Sequence, residues 1–95
     1  MAYFERGDTK LYYELHGKPD GFPVLLIAPG GMRSSVGFWD HTPWNPIEHL
    51  SDTYRVIAMD QRNAGLSTAP VSAEDGWPTY TDDQLALLDH LGVER

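Results

Sequence analysis

Phe22-Pro23-Val24-Leu25-Leu26-Ile27-Ala28-Pro29-Gly30-Gly31-Met32-Arg33-Ser34-Ser35 reads as a strand that runs into a loop. Val24 to Ala28 are apolar without alternation, the pattern of a strand buried on both faces in a parallel sheet covered by helices. Pro29 stops the strand. Gly30-Gly31 then lets the backbone turn sharply and lets main-chain N–H groups approach a bound atom with no Cβ in the way. The same pair also suits a plain tight connection from strand to helix, so the glycines alone do not assign a site.

Outward from this stretch, the amino-terminal side supplies a hairpin. Ala2 to Arg6 and Lys10 to His16 flank the turn-rich Gly7-Asp8-Thr9. Leu11, Tyr13 and Leu15 fall on one face of the second segment, and Tyr12, Glu14 and His16 on a wetter one. On the carboxy-terminal side, Asn45 is placed as the N-cap of a short helix through Leu50, with Pro46 at its first position and His49 near its end. Tyr54 to Met59 is a further strand, closing at Asp60. Strand, helix, strand predicts a parallel pair with a right-handed crossover. Gln61 to Pro70 is a loop in which Asn63 and Gly65 are best able to adopt positive φ. A final helix is expected to open at Thr79 or Thr81, with Thr81-Asp82-Asp83-Gln84 at capping-box spacing. Leu85, Leu88 and Leu91 would form its buried stripe, widened by Ala86 and Leu87, with Gly92 just beyond its end.

Ninety-five residues suit one small α/β domain spanning residues 1–95, and a hydrophobic content of 41% is enough for a core. The net charge of −7 argues against nucleic acid and against an anionic membrane surface, since both call for a basic patch. Without cysteine there is neither a disulfide framework nor a thiol nucleophile. The charged start, Glu5, Arg6, Asp8 and Lys10, leaves no apolar stretch for a signal peptide, so a cytoplasmic location is expected. The spacing of His16, His41, His49 and His90 has no i, i+4 pair for a helical zinc site. No metal or cofactor is expected. Gly30-Gly31 lacks the G-x-G-x-x-G of a dinucleotide site, and no Gly-Lys-Ser or Gly-Lys-Thr marks a P-loop. Trp39, Trp44 and Trp77 are assigned to the core rather than to a substrate cleft, with any tryptophan in a loop as the exception.

Asp60-Gln61-Arg62-Asn63-Ala64-Gly65-Leu66-Ser67 resembles the D-x-R-G-x-G-x-S segment after the fourth strand of the α/β-hydrolases, with Asn63 in place of one glycine. The hairpin, the apolar strand, the Gly-Gly loop and Trp39 extend that resemblance nearly end to end. The resemblance implies strands one to four of a partial α/β-hydrolase sheet in the order 1-2-4-3, with the first two helices. It also implies an oxyanion loop after the third strand. Gly31 aligns with the donor of the oxyanion N–H, and a register shift of one would place Gly30 or Met32 there. The family's histidine before this loop is absent.

The nucleophile elbow G-x-S-x-G is missing, and Arg33-Ser34-Ser35-Val36-Gly37 matches only its second glycine. No catalytic residue is therefore assigned, Ser35 is read as structural or solvated, and the chain alone is expected to be inactive. The resemblance points to a hydrolase that acts on an ester or related acyl bond of a small molecule, of which this chain holds the amino-terminal portion. The alternative is a non-catalytic interaction module. In the family topology the third strand borders a fifth, so Val24 to Ala28 is expected to be an open edge through which the chain self-associates.

Overall fold

The computed structural model describes residues 2–29, 34–70 and 76–93. Strand β1 (Ala2–Arg6) turns through Gly7 and Asp8 into β2 (Thr9–Gly17), and the two pair antiparallel with Arg6 opposite Thr9. Strand β3 (Pro23–Leu26) begins on its proline, where the missing N–H costs no ladder bond within the strand. It ends two residues earlier than the apolar run suggests. A 3-10 helix (Val36–His41) and helix α1 (Pro46–Leu50) follow, then strand β4 (Arg55–Met59) and helix α2 (Trp77–His90). Asn45 caps α1 as expected, its side-chain oxygen accepting the Ile47 N–H at 2.9 Å.

The sheet order is β1-β2-β4-β3, the order that the resemblance implies, with β2 and β4 antiparallel and β3 and β4 parallel. Among the described residues, β3 pairs with β4 alone and forms one edge of the sheet. Because successive side chains alternate across a sheet, the register Tyr13↔Met59 and Leu15↔Ile57 puts these residues on one face and Glu14, His16, Val56 and Ala58 on the other. The first face carries the core. Leu11, Tyr13, Ile57 and Met59 are buried against Leu87 of α2, with Phe4, Leu25, Leu88 and Leu91 packed around them. Phe4 also stacks on His90, the ring centroids 4.5 Å apart.

Three expectations are corrected. Helix α2 starts at Trp77, not at Thr79 or Thr81. Pro78 lies in the first turn, where no N–H is needed, and Thr79 Oγ1 accepts the Gly76 N–H at 3.3 Å. With that start, Asp83 and Leu87 form the most buried line of the helix while Leu85 is exposed, so the inward stripe lies to one side of the predicted leucines. Trp77 is not a core residue, and Trp44 is a loop exception. Trp77 is 77% exposed and Trp44 54%, because they stand in a first helical turn and a loop, beyond the reach of the β2–β4–α2 layer. Trp44 instead lies against the His49 ring.

Candidate functional site

Parallel pairing of β3 and β4, with Leu26 opposite Ala58, brings both strands out of the sheet at the same end. In parallel α/β sheets the crevice beyond the carboxyl ends of the strands is where ligands bind. Here that end is formed by the loops after Leu26 and after Met59, and a set of hydrogen bonds joins them.

Asp60 is the first part of that junction. It is 3% exposed, and its two carboxylate oxygens face different loops: Oδ1 accepts the Val36 N–H at 2.7 Å, and Oδ2 accepts the Leu66 N–H at 2.8 Å. The Asp60 carbonyl accepts the Ser67 hydroxyl at 2.6 Å, and Ser67 Oγ in turn accepts the Tyr12 N–H at 2.8 Å. The loop can wrap this closely around the carboxylate because Gly65, at φ 52°, has no side chain. A Cβ built there would lie 2.2 Å from Asp60 Oδ2. Asn63, at φ 63°, takes the other left-handed position expected from the sequence, and its Oδ1 accepts the Ala69 N–H at 2.9 Å. Asparagine tolerates this conformation better than most residues, which is why it can stand in place of a glycine.

Gln61 and Ser34 form the second part, and both are buried. The Gln61 N–H donates to the Ser34 carbonyl at 2.9 Å, and Gln61 Nε2 donates to Ser34 Oγ at 3.1 Å. That hydroxyl donates to the Ala28 carbonyl. Behind Gln61, its Oε1 accepts from Gln84 Nε2 of α2 at 2.9 Å. Arg62 makes the third link. Its Nε and Nη2 donate to the two oxygens of Asp83 at 2.7 and 3.0 Å, and Arg6 Nη1 approaches the same carboxylate at 3.3 Å. Asp83 is thus a buried ion-pair partner, a full turn or more inside α2.

Beside this junction lies a cavity of about 600 Å³, bounded by Ser35 and Val36, by Asp60 and Leu66, and by Tyr12 and Glu14 of β2. On its β2 wall the Tyr12 hydroxyl donates to Glu14 Oε2 at 2.6 Å, and His16 Nε2 lies 2.7 Å from Glu14 Oε1. Burial opposes ionisation of Glu14, but the hydrogen bonds from Tyr12 and His16 outweigh it and hold the carboxyl below its ordinary range. The Tyr12 phenol is pushed up to about 12, first by its hydrogen bond to Glu14, then by burial and by the charges of Glu14 and Asp60.

Gly30, Gly31 and Met32, the candidate oxyanion residues, lie outside the described residues. The residues on either side of them are placed: Ala28 is 2% exposed and Ser34 fully buried, each held as described above. Ser35, the incomplete match to a nucleophile elbow, is half-buried in extended conformation at the start of the 3-10 helix. Sequence reasoning missed the roles of Ser34, Gln61, Gln84 and the Arg62–Asp83 pair. Asp83 could have been found from its spacing, since it precedes Leu87 by one helical turn and therefore shares its inward face. Among the described residues no cluster of histidine, aspartate and glutamate is arranged to hold a metal ion. Nor is any described helix long and apolar enough to cross a membrane.

This architecture is shared with known proteins. The family model described as the alpha/beta hydrolase fold matches residues 23–95. A protein of Azorhizobium caulinodans with the provisional name carbamate hydrolase RutD is 36% identical over 94 residues, covering 99% of this chain and 32% of its own length. A proline iminopeptidase of Arabidopsis thaliana is 35% identical over 89 residues, covering 87% of this chain and 20% of its own. The crystal structure of the enol-lactonase from Burkholderia xenovorans superposes with a TM-score of 0.82 at 26% identity, over 99% of this chain and 34% of that one. The chain thus spans about a third of the length of the RutD relative and of the lactonase. Strand order, the loops joined at Asp60 and Gln61, and the match over residues 23–95 agree: the chain belongs to the α/β-hydrolase fold family.

Proposed function

We propose that this chain is the oxyanion-loop portion of a hydrolase that cleaves an ester or related acyl bond of a small molecule by nucleophilic catalysis. The nucleophile, acid and histidine lie in the rest of the protein. The observation that carries this reading is the fixed junction at the ends of β3 and β4. Ala28 and Ser34 are tied to each other and to Gln61, and the Gly30-Gly31-Met32 segment runs between them. A backbone N–H stabilises a developing oxyanion only if it is held in place before the charge forms. Gly31 is the donor in this reading, with Gly30 and Met32 as its neighbours in the loop. In a complete hydrolase whose first third is this chain, Gly31→Pro removes that N–H and should lower kcat by about 10²- to 10³-fold. Turnover within a few-fold of the parent would refute the assignment.

A second reading is favoured by β3, which stands at the sheet edge with Val24, Leu25 and Leu26 only half-buried. Taken alone, the chain is then an interaction module that self-associates through this strand. An edge with no lysine along it invites such pairing. Sedimentation at micromolar concentration should show dimers or larger species. A single monomeric species, with the β3 amides strongly protected from hydrogen exchange, would overturn this reading.

A further inference from the structure

Leu66 is a large apolar residue left 51% exposed on a backbone that is tightly held. Its N–H donates to Asp60 Oδ2 at 2.8 Å, and the next residue, Ser67, is tied to the Asp60 carbonyl by its hydroxyl and to the Ala64 carbonyl by its N–H. The other oxygen of the Asp60 carboxylate accepts the Val36 N–H at 2.7 Å. One buried side chain therefore fixes the backbones of two apolar residues, one in the connection after β3 and one in the loop after β4. Both residues border the cavity of about 600 Å³. A single exposed leucine on a protein surface needs no explanation. This one is different because it stands at a cavity beyond the carboxyl ends of two parallel strands, where ligands bind. Glu14, Asp40 and Glu48 also border the cavity, and among the described residues that do so there is no lysine or arginine.

We infer that Leu66 and Val36 are specificity-determining residues that hold an uncharged hydrocarbon substituent of the scissile carbonyl. This rests on the reading of the chain as part of a hydrolase. Hydrocarbon covered by two fixed apolar side chains leaves water, and a methylene in an apolar pocket distinguishes substrates by about 10- to 200-fold in kcat/KM. A cavity open on one side supplies the low end of that range. A carboxylate on the same substituent meets like charge from Glu14, Asp40 and Glu48, which disfavours anionic substrates. Asp60 touches no substrate atom in this scheme. It is a positioning residue that sets how Leu66 and Val36 stand relative to each other.

The test uses the complete hydrolase whose first third is this chain. Values of kcat/KM are compared for p-nitrophenyl acetate, hexanoate and hydrogen adipate, which vary the acyl side, and for methyl and hexyl acetate, which vary the alcohol side. The parent should prefer the longer chain in one of the two series by about 10-fold or more, and hexanoate over hydrogen adipate by a similar factor. Leu66→Ala should remove most of the chain-length preference while leaving the short esters and Tm nearly unchanged, because the side chain is half-exposed. Val36→Ala should weaken the same preference. The inference is overturned if either variant keeps the parental ratio in both series, or if hydrogen adipate is cleaved as well as hexanoate. It is also overturned if Leu66→Ala lowers Tm with the ratios unmoved, since another part of the protein then covers Leu66. A parent active on acetate but without chain-length preference removes this inference and leaves the hydrolase reading standing. A parent inactive on all of these esters removes both.

Discussion

Replacing Asp83 by asparagine should be among the most damaging single changes to the stability of this chain, although it leaves the volume of the side chain almost unaltered. Asp83 is 1% exposed and receives both the Nε and Nη2 of Arg62, whose side chain is only 14% exposed. Removing one partner of a buried pair leaves the other charge uncompensated and costs about 3–5 kcal/mol. The contact from Arg6, whose side chain is 47% exposed, adds no more than about 1 kcal/mol. Against a net stability of about 5–15 kcal/mol for a domain, the loss is about a fifth or more. It corresponds to a fall in Tm of about 12 °C or greater, at about 4 °C or more per kcal/mol for a domain of this size. Urea unfolding followed by far-ultraviolet circular dichroism measures it. The double variant Asp83→Leu, Arg62→Met should be less destabilised than either single change, since an apolar pair of similar volume removes both desolvation costs at once. If Asp83→Asn costs under 1 kcal/mol, or if the double variant shows the two losses simply added, the pair does not hold α2 to the β4 loop as described.

Three further outcomes follow. Glu14 titrates below its usual range in the folded chain, so the carboxylate contributes stability that is present above the unfolded value of 4.5 and is lost as pH falls through the folded value. The stability gap between the parent and Glu14→Gln should therefore be widest near neutral pH and close in acid. A gap independent of pH would mean that Tyr12 and His16 do not stabilise the charge. Tyr12, raised to about 12 from 10.0, has the opposite sign, and its contribution should fade as pH climbs between those values. The 95-residue chain, treated with a serine-reactive phosphonate, should show no stable adduct on Ser34 or Ser35 by mass spectrometry. Burst kinetics and a labelled serine would contradict the absence of a nucleophile.

Much of the fold was legible because its signals are local. The period-2 pattern of Lys10 to His16, the apolar run from Val24 and the Asn45-Pro46 start of α1 each declare an element within a few residues, and the structure contains all three. The strand order came from the resemblance, since no local pattern states which strands are neighbours. The start of α2 was misplaced because Thr81-Asp82-Asp83-Gln84 has the spacing of a capping box, yet lies inside a helix that opens at Trp77 with Pro78 in its first turn. At the site, Asn63 and Gly65 were legible as positive-φ positions because that preference belongs to the residue itself. Ser34, Gln61 and Gln84 were not. Their roles come from partners distant in sequence, and a serine or glutamine in a loop gives no hint of what it will meet.

The place of β4 between β2 and β3 has a consequence for how the chain acquires its shape. The hairpin can form from neighbouring residues, Arg6 meeting Thr9 across a two-residue turn. Nothing else in the sheet is so local, for Leu15 must wait for Ile57 and Leu25 for the same residue from the other side. β2 and β3 are not bonded to each other, so until β4 arrives they have no common partner. Closing that long connection carries its entropic cost before any contact rewards it. The sheet as a whole therefore depends on β4. A nascent chain still lacking residues 55–59 is a lone hairpin followed by an unpaired apolar segment, and it is in that interval that a chaperone would find something to hold.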